Sequence, residues 1–543
     1  MPTLNWIGKE AVVNHHRQVP FRLLRDVPSL SCGDPGSGNL IVQGDNLLAL
    51  KALLPYYAGQ VKCIYIDPPY NTGNEGWKYN DNVNSPLIKK WLGETVGKDG
   101  ETLDRHDRWL CMMYPRLQLL KMFLHKEGAM YVSIDDNEVH ALRYALDEIF
   151  GPQNFISSFT WRKVDSPNDN KVALTPDHEH ILAYARNHEH LKLAQMDAPD
   201  IVEAYGQVDE SGRSYRDRLL KKNGKNSLRR DRPTMYFALT SPDGNPVYPL
   251  HETGEEARWA MGKEGVARHQ ADGTLVWKKR QRGGAAVWEP YTREFAPANP
   301  TRPYPSIWSD LPTMRQAKAM LRDLFSTADL FDTPKPIELI ERLLKMTAGK
   351  DALVLDSFSG SGTTGHSVLR LNHTDGGSRR FILVEMDEKI ARDITAERVR
   401  RVANGYKNPK GDKVDGLGGD FRYCELGNPI FNESGKINPT VTFADLARHV
   451  YFTETGEPLP KERIPKTPFL GDCRGVGVYL LYNGILGDKS AAGGNVLTRQ
   501  VLNTLPPFKG QKVIYCAGNL LGKERLETER IIVRQTPYEI RVA

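Results

Sequence analysis

Paired cysteines are missing from this sequence. Its six cysteines (Cys32, Cys63, Cys111, Cys424, Cys473, Cys516) are scattered through 543 residues with no CxxC among them. That spacing argues against a zinc site and a disulfide framework, and it suits a reducing compartment. Long apolar runs are also absent: none approaches the roughly 18 residues of a membrane-spanning helix. The opening MPTLNWIGKEAVVNHH is polar and mixed, unlike a signal peptide, so a cytoplasmic location is expected. No GxxxxGK[ST] loop occurs, which excludes an ATP-driven motor of that type. There is no internal repeat, low-complexity tract or nuclease-like carboxylate cluster. With 40% hydrophobic and 26% charged residues, the chain reads as a folded protein of two to four domains. Its net charge of +6 is modest, so where the charge sits matters more than its size.

From Leu40 to Ile156 strand and helix patterns alternate. NLIVQGD, VKCIYIDPPY and AMYVSID read as strands. NLLALKALLPYYA reads as a helix, as do RWLCMMYPRLQLLKMFLHKEG, ending at Gly128, and EVHALRYALDEIFG, ending at Gly151. Such alternation predicts a parallel sheet covered by helices on both faces. A polar segment from Asn71 to about Leu103 is too long for an ordinary connection. Between Asn187 and Tyr304 helical periodicity fades, turn signals multiply (SPDGNP, ADGT, RGG) and basic residues gather around Arg213–Arg232 and Lys278–Arg282. The α/β pattern then resumes, and a smaller region richer in strands follows Asn404. The boundaries expected are a 1–38 arm, halves of one α/β domain at 39–190 and 306–404, an insert at 191–305 and a C-terminal α+β region at 405–543.

The clearest chemical signal is LVLDSFSGSGTTG, a strand, a glycine-rich turn and a helix start. Gly360, Gly362 and Gly365 match GxGxxG directly after a strand, the context in which that motif cradles a nucleotide. Glu385 closes the next strand, FILVE, about 20 residues on, where an acid holds ribose hydroxyls. This half is therefore expected to bind an adenosine-containing cofactor, with Asp356, Phe358, Gly360, Gly362, Thr363 and Glu385 around it. A hydride-transferring NAD(P) enzyme shares these features.

A second signal is CIYIDPPYNTG, in which an apolar strand stops on Asp67, Pro68, Pro69 and Tyr70. Asp-Pro is a common turn opener, and alone it could be only that. Together with FSGSG, however, DPPY resembles the motif pair of the β group of DNA amino-methyltransferases. The order DPPY, basic stretch, FDTPKP and then FSGSG is that group's order, over roughly residues 1–425. The N-terminal LNWIGKEAVVNHHRQVPFRLL and C-terminal KVIYCAGNLLGKERL also resemble modification (Mod) subunits of type III restriction–modification systems.

The resemblance implies a circularly permuted Rossmann-like methyltransferase sheet, S-adenosylmethionine as cofactor and transfer of a methyl group to adenine N6 in double-stranded DNA. It implies that Asp67 and the Pro68 carbonyl hold the amino hydrogens, that Pro68 and Pro69 fix the backbone and that Tyr70 offers a stacking face. Asp45 would meet the cofactor's adenine, although an acid after a strand is also a common helix cap. Lys335, in Thr333–Pro336, would line the methionine end. Phe159 or Trp161 would wall the flipped base or simply fill the core. Arg213, Arg229, Arg230, Lys278, Lys279 and Arg280 would contact DNA phosphates, with nearby aromatics adding to the surface. A homodimer, a separate restriction/helicase subunit, no metal and a nucleoid-associated place in a bacterial or archaeal cell also follow from it. Four readings compete, one of them methylation of RNA or of a protein amide, whose enzymes more often carry Asn in the first position of the tetrapeptide. Cytosine N4 is the alternative base, because Asp as first residue of the tetrapeptide favours adenine by family correlation only. An NAD(P) oxidoreductase leaves DPPY and the basic insert unexplained, and a non-catalytic DNA-binding module has no use for an intact Asp67 and Tyr70.

Overall fold

The computed structural model describes residues 4–34, 36, 38–72, 105–166, 174–282, 285–327, 330–432, 434–459, 467–482 and 494–536. Beyond Thr72, the polar segment Asn71–Leu103, beside the catalytic strand end and expected to touch DNA as well, lies outside them. The chain forms two compact units, one of residues 1–194 and 305–543 and the other Gln195–Tyr304.

The first unit is built on a ten-stranded sheet. In chain order its strands are β1 (Arg22–Asp26), β2 (Leu40–Gln43), β3 (Val61–Ile66), β4 (Leu124–Ile134), β5 (Phe155–Arg162), β6 (His178–Ala185), β7 (Ile307–Trp308), β8 (Leu353–Asp356), β9 (Arg380–Glu385) and β10 (Arg422–Pro429). Their spatial order is β1-β10-β2-β9-β8-β3-β4-β6-β5-β7. The run from β10 to β4 is parallel. β6 returns antiparallel against both β4 and β5, and β1 is antiparallel to β10. The sheet is therefore mixed at its flanks rather than wholly parallel. It also takes in β1 and β10, from segments whose sequence pattern set them apart as arm and C-terminal region.

The central strands are apolar and buried along nearly their whole length, as expected for strands covered on both faces. Helix α1 (Asn46–Tyr57), α2 (Arg105–Phe123), α3 (Val139–Phe150), α4 (Ile337–Thr347) and α5 (Thr363–Asp375) supply that cover. α2 stops at Phe123, five residues before the expected end at Gly128, and LHKEG belongs to β4 instead. The reason lies in the backbone: a Cβ at Gly128 would sit 2.7 Å from the Val61 carbonyl oxygen, so this glycine serves a close strand–strand approach. The pairing slips there, between Val61↔Leu124 and Cys63↔Ala129. Phe159 and Trp161 on β5 are core residues. Phe159 stacks on Trp308 at 4.6 Å, and the fully buried Trp161 donates to the Pro312 carbonyl.

Beyond β10, helix Phe443–Thr455 joins the main core together with Val478, Leu480, Val513 and Tyr515 of a four-stranded sheet (Phe469–Cys473, Val476–Leu480, Gln511–Cys516, Ile531–Gln535), and alternate residues of that sheet form a smaller core around Tyr479, Ile514 and Cys516. Among the described residues, no helix is long and apolar enough to cross a membrane.

The second unit has a four-stranded antiparallel sheet formed by Gln207–Val208, Ser214–Leu219, Leu275–Arg282 and Ala285–Phe295. Its core is small, centred on Leu220, Trp259 and Val266.

Candidate active site

In a sheet of this kind ligands bind beyond the carboxyl ends of parallel strands, where the chain winds away in opposite directions. That point lies between β8 and β3. From β8 the chain passes to β9 on one side, and from β3 it passes to β4 on the other. DPPY follows β3 and the glycine turn follows β8, so both open on one crevice. Its walls include Tyr65, Asp67, Thr333, Lys335, Asp356 and Phe358, with the turn Ser359–Ser361 beneath.

At the centre is a buried ionic cluster. Lys335 Nζ lies 2.7 Å from Asp67 Oδ2 and 3.4 Å from Glu179 Oε2. The Tyr70 hydroxyl lies 2.7 Å from Asp67 Oδ1 and 3.0 Å from Glu179 Oε2, so one proton serves two acceptors. Lys163 closes the cluster, 3.4 Å from Glu179 Oε1. Burial raises the Asp67 carboxyl above the ordinary carboxylate range; Lys335 opposes this and Glu179 adds to it. Burial would pull the Lys335 ammonium down, but Asp67 and Glu179 together hold it above its usual value. Glu179 and Lys163 were not singled out in the sequence. The clue was a glutamate in HEHILAYA, second in a strand that is apolar from Ile181 onward, where a buried acid demands a partner.

The backbone of the tetrapeptide is pinned from behind. The fully buried Trp109 donates its indole N–H to the Pro69 carbonyl at 2.6 Å. Asn71 adopts a left-handed φ of 58° and donates to the buried Glu138, which also contacts His106 at 2.7 Å. Among the described residues nothing donates to the Pro68 carbonyl. Tyr70 is almost wholly buried, with the Lys335 ammonium 5.2 Å from its ring centroid.

The glycine turn is equally constrained. Gly360 and Gly362 have φ of 48° and 76°, and a Cβ at Gly362 would press on the Thr395 backbone at 3.1 Å. Glu385 accepts from the Gly360 and Asp387 amides, and burial pushes its carboxyl up to about 8. Asp356 accepts from Thr364 and the Phe358 amide, and burial raises it to about 7. The fully buried Arg398 donates to Ser361 and to Thr363 at 2.9 Å; burial brings it down to about 9. Thr363 reaches the Lys335 carbonyl, tying the TPKP segment to the turn.

The crevice thus gathers Asp67, Lys335, Asp356, Phe358, Gly360 and Thr363. Asp45 is not among the residues lining the crevice: it caps α1 through the Leu48 amide at 3.0 Å and pairs with Arg116 at 3.0 Å. Lys335, expected at the cofactor, has its ammonium on the two acids.

The basic residues all belong to the second unit, and several carry acid partners. Arg213 pairs with Asp209, Arg229 with Glu256, and Lys278 with Asp217. Lys279 lies over Trp288 at 4.9 Å, and Arg280 donates to the Tyr291 hydroxyl at 3.2 Å. Arg230 is exposed, as is the nearby Arg232.

The comparisons agree with this geometry. The chain is 33% identical over 427 residues to the type III restriction–modification enzyme EcoPI Mod subunit of Escherichia phage P1, covering 72% of this chain and 64% of that protein. It is 32% identical over 390 residues to the StyLTI Mod subunit of Salmonella typhimurium, covering 68% and 57% respectively. It thus spans less than two thirds of either Mod subunit. The type II methyltransferase M.KpnI of Klebsiella pneumoniae is 30% identical over 417 residues, with 72% of this chain and 93% of that enzyme covered. Residues 61–397 match the N6/N4 methyltransferase model described as DNA methylase, a span running from the start of β3 past the glycine turn, and the chain belongs to that family.

Proposed function

We propose that the chain is a sequence-specific DNA methyltransferase that transfers a methyl group from S-adenosylmethionine to adenine N6 in duplex DNA. We assign it as the modification subunit of a type III-like system, working with double-stranded DNA, a second copy of itself and a separate restriction subunit. The observation that carries this reading is the crevice between β3 and β8, which Asp67 and the glycine turn line together.

The cofactor fits the turn. The hydroxyls of Ser357 and Ser359 are buried there without a hydrogen-bond partner among the described residues, so the loop holds polar capacity that the protein itself leaves unused. Asp356, Phe358, Gly360, Gly362 and Thr363 would hold the group, with Glu385 fixing the turn from behind and Asp45 at the neighbouring strand end. When bound, S-adenosylmethionine supplies an electrophilic methyl group.

The protein's own task is the amine. The lone pair of an exocyclic amino group is delocalised into the ring, which makes it a poor nucleophile. Asp67 and the Pro68 carbonyl accept its two N–H bonds and so orient the nitrogen. Methylation leaves a proton on that nitrogen to be removed, and the raised pKa of Asp67 makes it a stronger base than an ordinary carboxylate. Reaching the crevice requires the base to leave the stack, at a cost of a few kcal/mol. We assign residues 191–305 to DNA recognition.

The test is base-modification sequencing of DNA from a methylation-deficient host expressing this chain, beside Asp67→Ala. N6-methyladenine at one recurring sequence, lost in the variant, is expected. N4-methylcytosine would keep the mechanism and overturn the base, and modification surviving in Asp67→Ala would overturn the role of Asp67.

A further inference from the structure

The amino end of β6 carries a second cluster. His178 and His180 are two residues apart on a strand, so both imidazoles stand on one face while Glu179 stands on the other. The burial pattern agrees: both histidines are partly exposed, and Glu179 between them is buried. β4 runs antiparallel beside β6 with Ile134 opposite His180, so the turn following β4 brings Asp136 to the same place.

The three side chains converge. His180 Nε2 lies 2.9 Å from Asp136 Oδ1, and His178 Nε2 lies 3.9 Å from Asp136 Oδ2. One ligand atom from each residue can be chosen so that all three lie within 4.8 Å of one another. In a tetrahedral site with metal–ligand bonds of about 2.0–2.1 Å, ligand atoms are about 3.4 Å apart, and the two distances, which run to the two oxygens of one carboxylate, are of that order. Both histidines present Nε2 inward. The other nitrogen of His178 faces Asp177 Oδ1 at 3.7 Å, and an outer carboxylate of that kind commonly orients a ligating imidazole.

We propose that Asp136, His178 and His180 bind one divalent transition-metal cation of the zinc class. The donor set decides the class. Two imidazoles favour Zn2+, Co2+ or Ni2+ over Mg2+ or Ca2+, which take oxygen ligands. Asp136 and His178 are 64% and 33% exposed, so water completes the coordination and the ion exchanges with solvent. Occupancy has a structural consequence. It ties the first residues of β6 to the turn after β4, and Glu179, which faces Lys335 and Tyr70, lies between the two histidine ligands. The ion would act as a positioning element for that cluster and would not touch substrate. The site stands independently of the methyl-transfer reading, because its evidence is the three ligands alone.

The test is titration of the full chain, stripped with chelator and dialysed, with CoCl2 followed by visible absorption and with ZnCl2 followed by calorimetry. One equivalent should bind, with the absorption bands of nitrogen- and oxygen-ligated Co2+. Changing even an outer partner of a metal ligand costs about 10–100-fold in affinity, so His178→Gln/His180→Gln should weaken binding by at least about 100-fold. Asp136→Asn should weaken it by about 10-fold or more. His188→Gln/His190→Gln, beyond the far end of β6, should bind as the parent does. Unfolding midpoints of the metal-free variants should match the parent, which separates lost ligation from lost fold. No uptake by the parent would overturn the proposal, as would equal affinity in His178→Gln/His180→Gln.

Discussion

Replacing Lys335 with methionine tests the ionic cluster most directly. The side chain is 3% exposed, and it faces Asp67 at 2.7 Å and Glu179 at 3.4 Å, which are themselves 13% and 2% exposed. Methionine keeps much of the volume and deletes the charge, leaving two buried acids with only Lys163 against them. Removing one partner of a buried ion pair costs about 3–5 kcal/mol. The structure also fixes how that cost depends on pH. Without the ammonium, the folded pKa of Asp67, already raised, climbs further, and the folded state binds a proton that the unfolded chain releases. A group whose folded pKa is raised contributes stability that is present below its unfolded pKa and is lost as pH rises. The variant should therefore fall further behind the parent as pH rises from the acid side toward neutrality, by at most about 1.4 kcal/mol per pH unit for each extra proton held. The assay is urea unfolding of parent, Lys335→Met, Glu179→Gln and the double variant across that range. Because Glu179→Gln removes one of the stranded charges, the double variant should recover part of the loss, with a coupling of about 0.5–3 kcal/mol. A pH-independent loss, or one below about 1 kcal/mol, would refute the charge argument.

Two further outcomes are expected. Glu385 and Asp356 have carboxyls pushed up to about 8 and about 7 by burial, so the chain without ligand should lose stability as pH rises from about 5 to about 8. Glu385→Gln should flatten that slope by close to one proton, and an unchanged slope in urea titrations would remove Glu385 from the account. For DNA binding, Arg230 and Arg232 are exposed with no acid partner among the described residues, whereas Arg213 is held by Asp209. Arg230→Ala/Arg232→Ala should reduce the slope of log affinity against log salt by roughly 0.9 for each phosphate no longer neutralised, and Arg213→Ala should change it less. Equal slopes for all three proteins would place the phosphate-binding residues elsewhere.

The two loops that meet in the crevice were legible because each is a short local pattern: an apolar strand, then residues whose backbone demands are unusual. Gly360 and Gly362 adopt positive φ, and Pro68 and Pro69 break the strand, so the pattern and its structural cause coincide. Glu179 was hidden for the opposite reason. It is far from Asp67 in the chain, and only the antiparallel return of β6 beside β4 brings it to that edge of the sheet. Arg116 and Arg398 were likewise invisible, since an arginine on a helix ordinarily faces water, yet both are buried here. The misplaced end of α2 shows a limit of reading glycine as a helix stop. Gly128 is needed where β4 crosses close to Val61, and nothing in LHKEG distinguishes that demand from a cap. The basic insert shows another limit, because a count of arginines does not reveal how many have acids opposite them in the fold.

The ionic cluster also bears on how the proposed reaction ends. With Asp67 and Glu179 ionised and Lys163 and Lys335 protonated, the four groups are formally neutral, an arrangement that a buried site tolerates. Both Asp67 oxygens already have partners, Tyr70 on Oδ1 and Lys335 on Oδ2, but a carboxylate oxygen accepts more than one hydrogen bond. An amino N–H can therefore join without expelling either partner, and the orientation of Asp67 is set before the base arrives. A proton taken from the methylated amine neutralises Asp67, which leaves Glu179 as the one negative group against Lys163 and Lys335. Glu179→Gln would deprive that state of its counter-charge while leaving Asp67 in place. Its effect should therefore fall on the turnover rate, with DNA affinity unchanged, and single-turnover methylation against binding isotherms separates the two. A variant that lost DNA affinity and kept its rate would remove Glu179 from the chemistry and make it a support for the fold.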